Sequence, residues 1–363
     1  MRKTTIGLMA TALAGAGALG ASTATGTIAW VSTAGNPGAN APLIVANDDG
    51  SNPVQMARGS QPILSPNGAR LAYQVVSQTV TAWRVMDIAS RTVVPVARGC
   101  AEYGSARWTP DSTRLVCGTF STRRGGIITG QGLAMAQVPA TLVPGTPIPL
   151  TTLIPARGNN VEPPAQGVSF SPDGTRMAFA TAAWNKPTSV FVAPIADLSQ
   201  RTRVLASATS PVWGPSALAA TRVQNVTVRL GGERTRTVQQ NVWTVNPDGT
   251  GARAITSFRA RGLVYGPYAS FWTPDGATIV GSIGGQDYVR SATFAVATRR
   301  TTILQRGTDT FPVAVSADGQ WIAFQPATES TRYPLRMMRL DGTGARTIAR
   351  NAAMPSFSAN WRP

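Results

Sequence analysis

The sequence carries 33 lysines and arginines against 16 acids, and no histidine. Its chemistry is bounded first by what is missing. Without histidine there is no Ser–His or Cys–His nucleophile system and no His-ligated metal centre. No Gly-x-Ser-x-Gly elbow, Ser-x-x-Lys pair or phosphate-cradling glycine loop occurs either. Paired carboxylates alone suffice for glycosidic chemistry, and Glu102, Glu162 and Glu233 are loop candidates, though ordinary surface acids explain them as well. Asp48-Asp49-Gly50-Ser51-Asn52 offers oxygen ligands without EF-hand spacing and reads as a turn. No catalytic residue, cofactor or metal is therefore expected. What remains in quantity is arginine, whose planar fork recognises carboxylates and phosphates in pairs of hydrogen bonds.

The elements that position these arginines come from a repeat. Ser65-Pro66-Asn67-Gly68 recurs as Thr109-Pro110-Asp111-Ser112, Ser171-Pro172-Asp173-Gly174, Thr273-Pro274-Asp275-Gly276 and Ser316-Ala317-Asp318-Gly319. A degenerate copy is Trp213-Gly214-Pro215-Ser216, and a half-copy is Phe357-Ser358-Ala359-Asn360. Proline presets φ, the Asx side chain bonds its own turn, and glycine supplies positive φ. A bulky apolar residue precedes each turn, as Trp108, Phe170 and Trp272 do. An apolar triplet with a small middle follows, as in Leu71-Ala72-Tyr73 and Met177-Ala178-Phe179. Third strands are expected at 83–87, 190–193, 242–246 and 335–340, and fourth strands at 92–96, 203–205, 254–256 and 301–304. Units of this size and pattern predict an all-β propeller.

The ends complete the ring. Residues 27–30, 43–47 and 54–57 match a second, third and fourth strand without a first, and residues 355–361 match a first strand without its blade. Joining them removes the exposed edges. The expectation is a seven-bladed β-propeller closed by N- and C-terminal strands in one blade, with six blades the alternative if the unit at 210–256 is misread. Ser171-Pro172-Asp173-Gly174 with Thr175–Phe179, and the paired phrases at 245–252 and 339–345, resemble the WD-like repeat of TolB-type propellers. The resemblance covers the whole chain after the leader. It implies extracytoplasmic binding to a protein or envelope component. The family's separate N-terminal α/β domain has no counterpart here, since the propeller is expected to start directly after the leader. The same repeat also decorates peptidases and lyases, so the fold leaves the activity open.

The repeat sorts charge by face. Turns joining first to second and third to fourth strands lie on one face, where ten acids meet ten arginines. The other face carries the long connections at 118–132, 151–166, 220–241, 257–268, 281–291 and 325–334, with sixteen bases against six acids. This basic long-loop face is the candidate ligand surface, with Arg123, Arg124, Arg157, Arg259, Arg261, Arg290 and Arg332 as anion contacts and Tyr265 and Tyr268 as amphipathic area. A solvated rim is the plain alternative. Residues 220–241, alternating around Gly231-Gly232, read as an extended hairpin.

Met1-Arg2-Lys3, an apolar run to Ala21 and small residues to Ala24 read as a signal peptide over residues 1–24, leaving one propeller domain at 25–363. In an oxidising compartment Cys100 and Cys117 are expected to pair, with free thiols the alternative. The sequence thus points to a periplasmic or secreted monomer, peripheral to membrane at most. It would bind a protein or anionic envelope ligand rather than nucleic acid, without catalysis. A histidine-free polysaccharide lyase or glycosidase is the alternative.

Overall fold

A computed structural model describes residues 26–35, 40–76, 81–100, 106–122, 128–157, 167–181, 188–230, 233–260, 266–285, 288–305, 309–327 and 333–362. The expected signal peptide lies outside the described residues.

Each repeat phrase folds as a closed hydrogen-bond circuit. The leading hydroxyl of Ser65, Thr109, Ser171, Thr273 and Ser316 donates to the Asx carboxyl or amide oxygen two residues on, at 2.5–2.7 Å. It also accepts from the backbone N–H five residues on, as Ser171 does from Arg176 and Ser316 from Trp321. The Asx oxygen accepts a further backbone N–H, as Asp173 does from Thr175. Gly174 closes its turn at φ 69°, while Ser112, in the glycine position of Thr109-Pro110-Asp111-Ser112, takes φ 61°. The degenerate copy has a steric reason: a Cβ at Gly214 would lie 2.6 Å from the Trp272 ring of the next sheet.

The strands are β1 (Thr27–Ser32), β2 (Ala41–Asn47), β3 (Val54–Leu64), β4 (Arg70–Val76), β5 (Thr81–Asp87) and β6 (Val93–Pro95), then β7 (Ala106–Trp108), β8 (Arg114–Thr122), β9 (Ile128–Gln137) and β10 (Leu150–Arg157). They continue as β11 (Ser169–Phe170), β12 (Arg176–Thr181), β13 (Ser189–Pro194), β14 (Thr202–Ala206), β15 (Ala208–Trp213), β16 (Leu218–Leu230), β17 (Glu233–Val245) and β18 (Arg253–Ala254). The last are β19 (Gly266–Trp272), β20 (Thr278–Gly284), β21 (Val289–Ala295), β22 (Thr301–Ile303), β23 (Thr310–Val315), β24 (Trp321–Pro326), β25 (Leu335–Arg339), β26 (Arg346–Ala349) and β27 (Ala352–Phe357). Five antiparallel sheets of four strands run β7–β10, β11–β14, β15–β18, β19–β22 and β23–β26. A seven-stranded sheet takes the order β27-β1-β2-β3-β4-β5-β6. The C-terminal strand β27 pairs with β1, Ile28 opposite Phe357 and Ser32 opposite Ala352, so the two ends of the propeller join in one sheet. The unit read as degenerate forms a full four-stranded sheet.

The apolar triplets fill the gaps between sheets. Trp83, Val85 and Val94 pack against Trp108, Leu115 and Ala136 of the next sheet. Met177 and Phe179 pack against Val116 and Leu133 of the sheet before. The tryptophan before a turn also stitches sheets together: Trp108 Nε1 donates to the Ile63 carbonyl and Trp272 Nε1 to that of Val212, both at 3.0 Å.

One expectation is corrected. Within the segments 118–132, 151–166 and 281–291, read as loops, residues 118–122, 128–132, 151–157, 281–284 and 289–291 are strand: β8 pairs with β9 from Arg114 to Thr122, and β10 begins at Leu150. The strands were bounded by their apolar triplets, but ladder hydrogen bonds continue through polar Thr, Gly and Gln beyond the buried core.

Candidate functional site

The acids are consumed by the fold. Asp49, Asp87, Asp111, Asp173, Asp197, Asp248, Asp275, Asp318 and Asp341 each accept a backbone N–H of their own turn. Hydrogen bonds from the Ser171 hydroxyl and the Thr175 amide hold Asp173 below the usual carboxylate range, and Thr273 and Ala277 do the same for Asp275. Asp48 goes the other way, raised by burial.

Three of the arginines beside those turns are used as well. Arg70 donates to the Ala140 carbonyl, Arg114 to Gly174 and Arg176 to Pro247, each reaching the next sheet's turn. Two ion pairs occur among the described residues, Arg70–Asp87 at 3.3 Å and Arg114–Asp111 at 3.4 Å, and both lie on this short-turn face. No arginine of the long-loop face has an acidic partner among the described residues.

The largest feature of that face is the hairpin expected at 220–241. β16 and β17 pair without interruption from Leu218 opposite Val245 to Leu230 opposite Glu233. β15 stops pairing at Arg222 and β18 at Trp243. The hairpin therefore runs on as a two-stranded arm for roughly 27 Å at strand rise. Its base is bolted to the segment that follows β18. Asn241 accepts from the Thr256 hydroxyl and the Phe258 N–H and donates to the Phe258 carbonyl, while Gln239 accepts from the Ala260 N–H. Arg259, exposed between those two anchors, is thereby held against the arm.

Directly opposed residues share a face, so Thr227, Arg229, Arg234 and Arg236 lie on one side of the arm: Arg229 faces Arg234, and Thr227 faces Arg236. All three arginines are exposed. Glu233 is the one acid on the arm's strands and sits on the other side, opposite Leu230. Arg222, at the base, stacks 4.5 Å from the Trp243 ring.

Of the expected contacts, Arg259 is exposed on the segment held at the base of the arm by Asn241 and Gln239, whose positions share the Glu233 side. Arg290 stacks on Tyr288 at 5.0 Å. Tyr268 pairs with Ser282 and Arg290 with Ile283, so these two expected partners lie on opposite faces of one sheet. Arg157 ends β10. Arg123, Arg124, Arg261, Arg332 and Tyr265 lie outside the described residues, as do Glu102 and Glu162. Cys100 and Cys117 form a disulfide with Cα atoms 5.5 Å apart, which is consistent with an exported protein.

Arg107 lies outside the loop charge pattern. The first strands of the units, β7, β11, β15, β19, β23 and β27 with residues 60–64 of β3, touch one another from sheet to sheet and are therefore the innermost; Arg107 is the one charged residue on them. It pairs with Val116, which packs toward the next sheet, while its neighbours Ala106 and Trp108 pack toward the previous one. Serines at the equivalent position, Ser169 and Ser356, accept an N–H from the next innermost strand. Arginine cannot accept, and its side chain is exposed although both neighbours are buried. Desolvation nevertheless holds its guanidinium below the ordinary arginine range. Both facts fit a group in a water-reached channel walled by protein. The signal lay in the sequence: a charge between two core positions just before a turn.

A cavity of about 350 Å³ opens between residues 254–258 and the β19–β22 sheet, lined by Ile255, Phe258, Pro267, Ile283, Arg299 and Thr301 among others, with no carboxylate in its lining.

An all-β ring of sheets, sealed by pairing its first and last strands, defines a β-propeller, and its fold is TolB-like. A TolB from Acinetobacter baumannii matches at 16% identity over 80% of this chain and 67% of its own, with TM-score 0.51. An oligogalacturonate lyase in complex with manganese matches at 13% over 86% and 82%, TM-score 0.54. A prolyl endopeptidase matches at 9% over 87% of this chain, which spans 47% of that enzyme, TM-score 0.63. These likenesses show the fold. No protein-family model matches the chain, and no curated protein does.

Proposed function

We propose that the chain is an exported, monomeric, non-catalytic propeller that binds a protein partner or an anionic envelope component through its basic long-loop face. One observation carries this reading. The turn acids of the short-turn face are taken up by their own backbone, and Arg70, Arg114 and Arg176 reach neighbouring turns, while Arg229, Arg234 and Arg236 share one side of an arm whose single acid, Glu233, lies on the other. Exposed guanidinium forks without internal partners are suited to carboxylates and phosphates. The disulfide supports an oxidising compartment.

The ring is read as seven blades. Val54–Gly59 of β3 pairs with β2, and Ser60–Leu64 pairs with β4. The seven-stranded sheet is then two blades sharing one continuous strand, added to the five four-stranded ones.

The likeness to lyase and endopeptidase propellers keeps an enzyme on polysaccharide as the alternative, and one experiment separates the two. The mature protein is mixed with polygalacturonate at low and high salt, and both retention and chain cleavage are followed. Salt-sensitive retention that is lost in Arg259→Ala with Arg261→Ala, without cleavage, supports the binding reading. Cleavage establishes the alternative. Absence of salt-sensitive binding to polygalacturonate, acidic peptide and envelope extract alike defeats the basic-face reading.

A further inference from the structure

We infer that the arm takes an extended acidic segment of a partner protein as an added strand along Asn225, Thr227 and Arg229. This rests on the reading of the long-loop face as a binding surface and names its ligand. Two observations meet here. The first is an open edge. The Val223 N–H donates to the Ser207 carbonyl at 2.7 Å, so Val223 points its backbone groups away from β17. Backbone direction alternates along a strand, and the β16–β17 register runs unbroken from there to Leu230. Asn225, Thr227 and Arg229 therefore present N–H and C=O groups outward on the same edge, and none has a backbone partner among the described residues. A row of this kind is a template for strand addition. The other edge is already occupied near its base, where Asn241 and Gln239 hold residues 256–260.

The second observation is charge. Arg229 and Arg234 stand directly opposed, with Arg236 two residues along the same face. Like charges in directly opposed positions destabilise a ladder, so this face gains when carboxylates are brought beside it. A strand added along β16 places alternate side chains next to Arg229 on that face, which selects acidic residues at every second position. A second copy of the arm is disfavoured, because it would bring its own arginines to the same place.

The probe is a fluorescein-labelled peptide of alternating glutamate and valine as long as the open edge, with a lysine–valine peptide and polygalacturonate as comparators. Wild-type protein is expected to bind the glutamate peptide and not the lysine one. Thr227→Pro removes one outward N–H while leaving the β17 ladder its bonds, since proline is tolerated on an edge facing solvent. It should weaken binding about tenfold or more, as should Arg229→Glu with Arg234→Glu. A test independent of the arm's folding uses the two alternate N-methylation patterns of the peptide: one should bind and the other should not. Equal binding of both patterns, or undiminished binding to a folded Thr227→Pro protein, overturns strand addition. Retention of polygalacturonate with no peptide binding overturns the proposal and leaves the basic-face reading standing. Failure of both ligands, with envelope extract also blank, removes both.

Discussion

The ring is closed by residue pairs more than 300 positions apart, and Trp361 carries much of that closure. It is 1% exposed and lies edge-on to Phe357 with ring centroids 4.8 Å apart. Its Nε1 donates to the Asp48 carbonyl at 2.9 Å, and its own carbonyl accepts from Ala317. The N-terminal end fits tightly against it: a Cβ at Gly26 would fall 2.3 Å from the Trp361 Cα. Truncating a buried tryptophan to alanine costs about 3–5 kcal/mol. Unfolding entropy per residue gives a chain of this length about 0.7 kcal/mol per degree at its midpoint. Trp361→Ala should therefore melt about 6 °C below wild type. Trp361→Phe keeps most of the apolar area and loses mainly the hydrogen bond, worth about 1 kcal/mol or some 1–2 °C. Thermal unfolding followed by circular dichroism, with urea titration as a second probe, reads both. If Trp361→Ala melts within a degree of wild type, the C-terminal strand does not hold the ring and the closure argument is wrong.

Replacing Cys100 and Cys117 together by alanine opens a loop of 17 residues, which costs about 3 kcal/mol in chain entropy. A drop of about 4 °C is expected, and coincident melting of oxidised and reduced wild type would refute it. Asp173 and Asp275 titrate lower in the fold than in the free chain. Their contribution is thus complete above about pH 4 and lost as pH falls through their folded values; a urea midpoint unchanged from pH 5 to pH 2 would contradict this. Asp48 has the opposite sign, since burial penalises its charge, so Asp48→Asn should raise the melting temperature at neutral pH and lose that advantage in acid. Arg107→Met should leave stability equal or higher, because the change removes a desolvated charge with no acidic partner among the described residues; a marked loss in a melting assay would reveal a partner for the guanidinium.

The turns were legible because each is a local circuit: the residues of Ser171–Arg176 need nothing from elsewhere to specify their bonds. The closure was legible because residues 27–30 and 355–361 are complementary fragments of one pattern. The arm was legible through its central Gly-Gly between alternating Val, Thr and Gln. Strand length was not legible beyond the apolar triplets, since Thr119 and Gly132 pair by backbone alone. The relation of Tyr268 to Arg290 was missed because it depends on register parity across β20, which neither residue's type reveals. Arg107 was missed because charge was sorted by loops, and this one stands on a strand.

The contrast between the two faces separates what the fold requires from what it does not. Every unit needs a turn acid or its amide, so the propeller itself places acids on the short-turn face, and Arg70, Arg114 and Arg176 earn their positions there by tying one turn to the next. A general excess of arginine would account for a basic remainder scattered over the other face. It does not account for Arg229 opposite Arg234. That pairing works against the hairpin that holds it, at the far end of an arm that contributes nothing to the closure of the ring. Thr or Gln, already abundant on the same strands, would pair across the arm without repulsion. Arg229 and Arg234 thus cost the fold something where it gains nothing, and this supports the proposal of an anionic ligand.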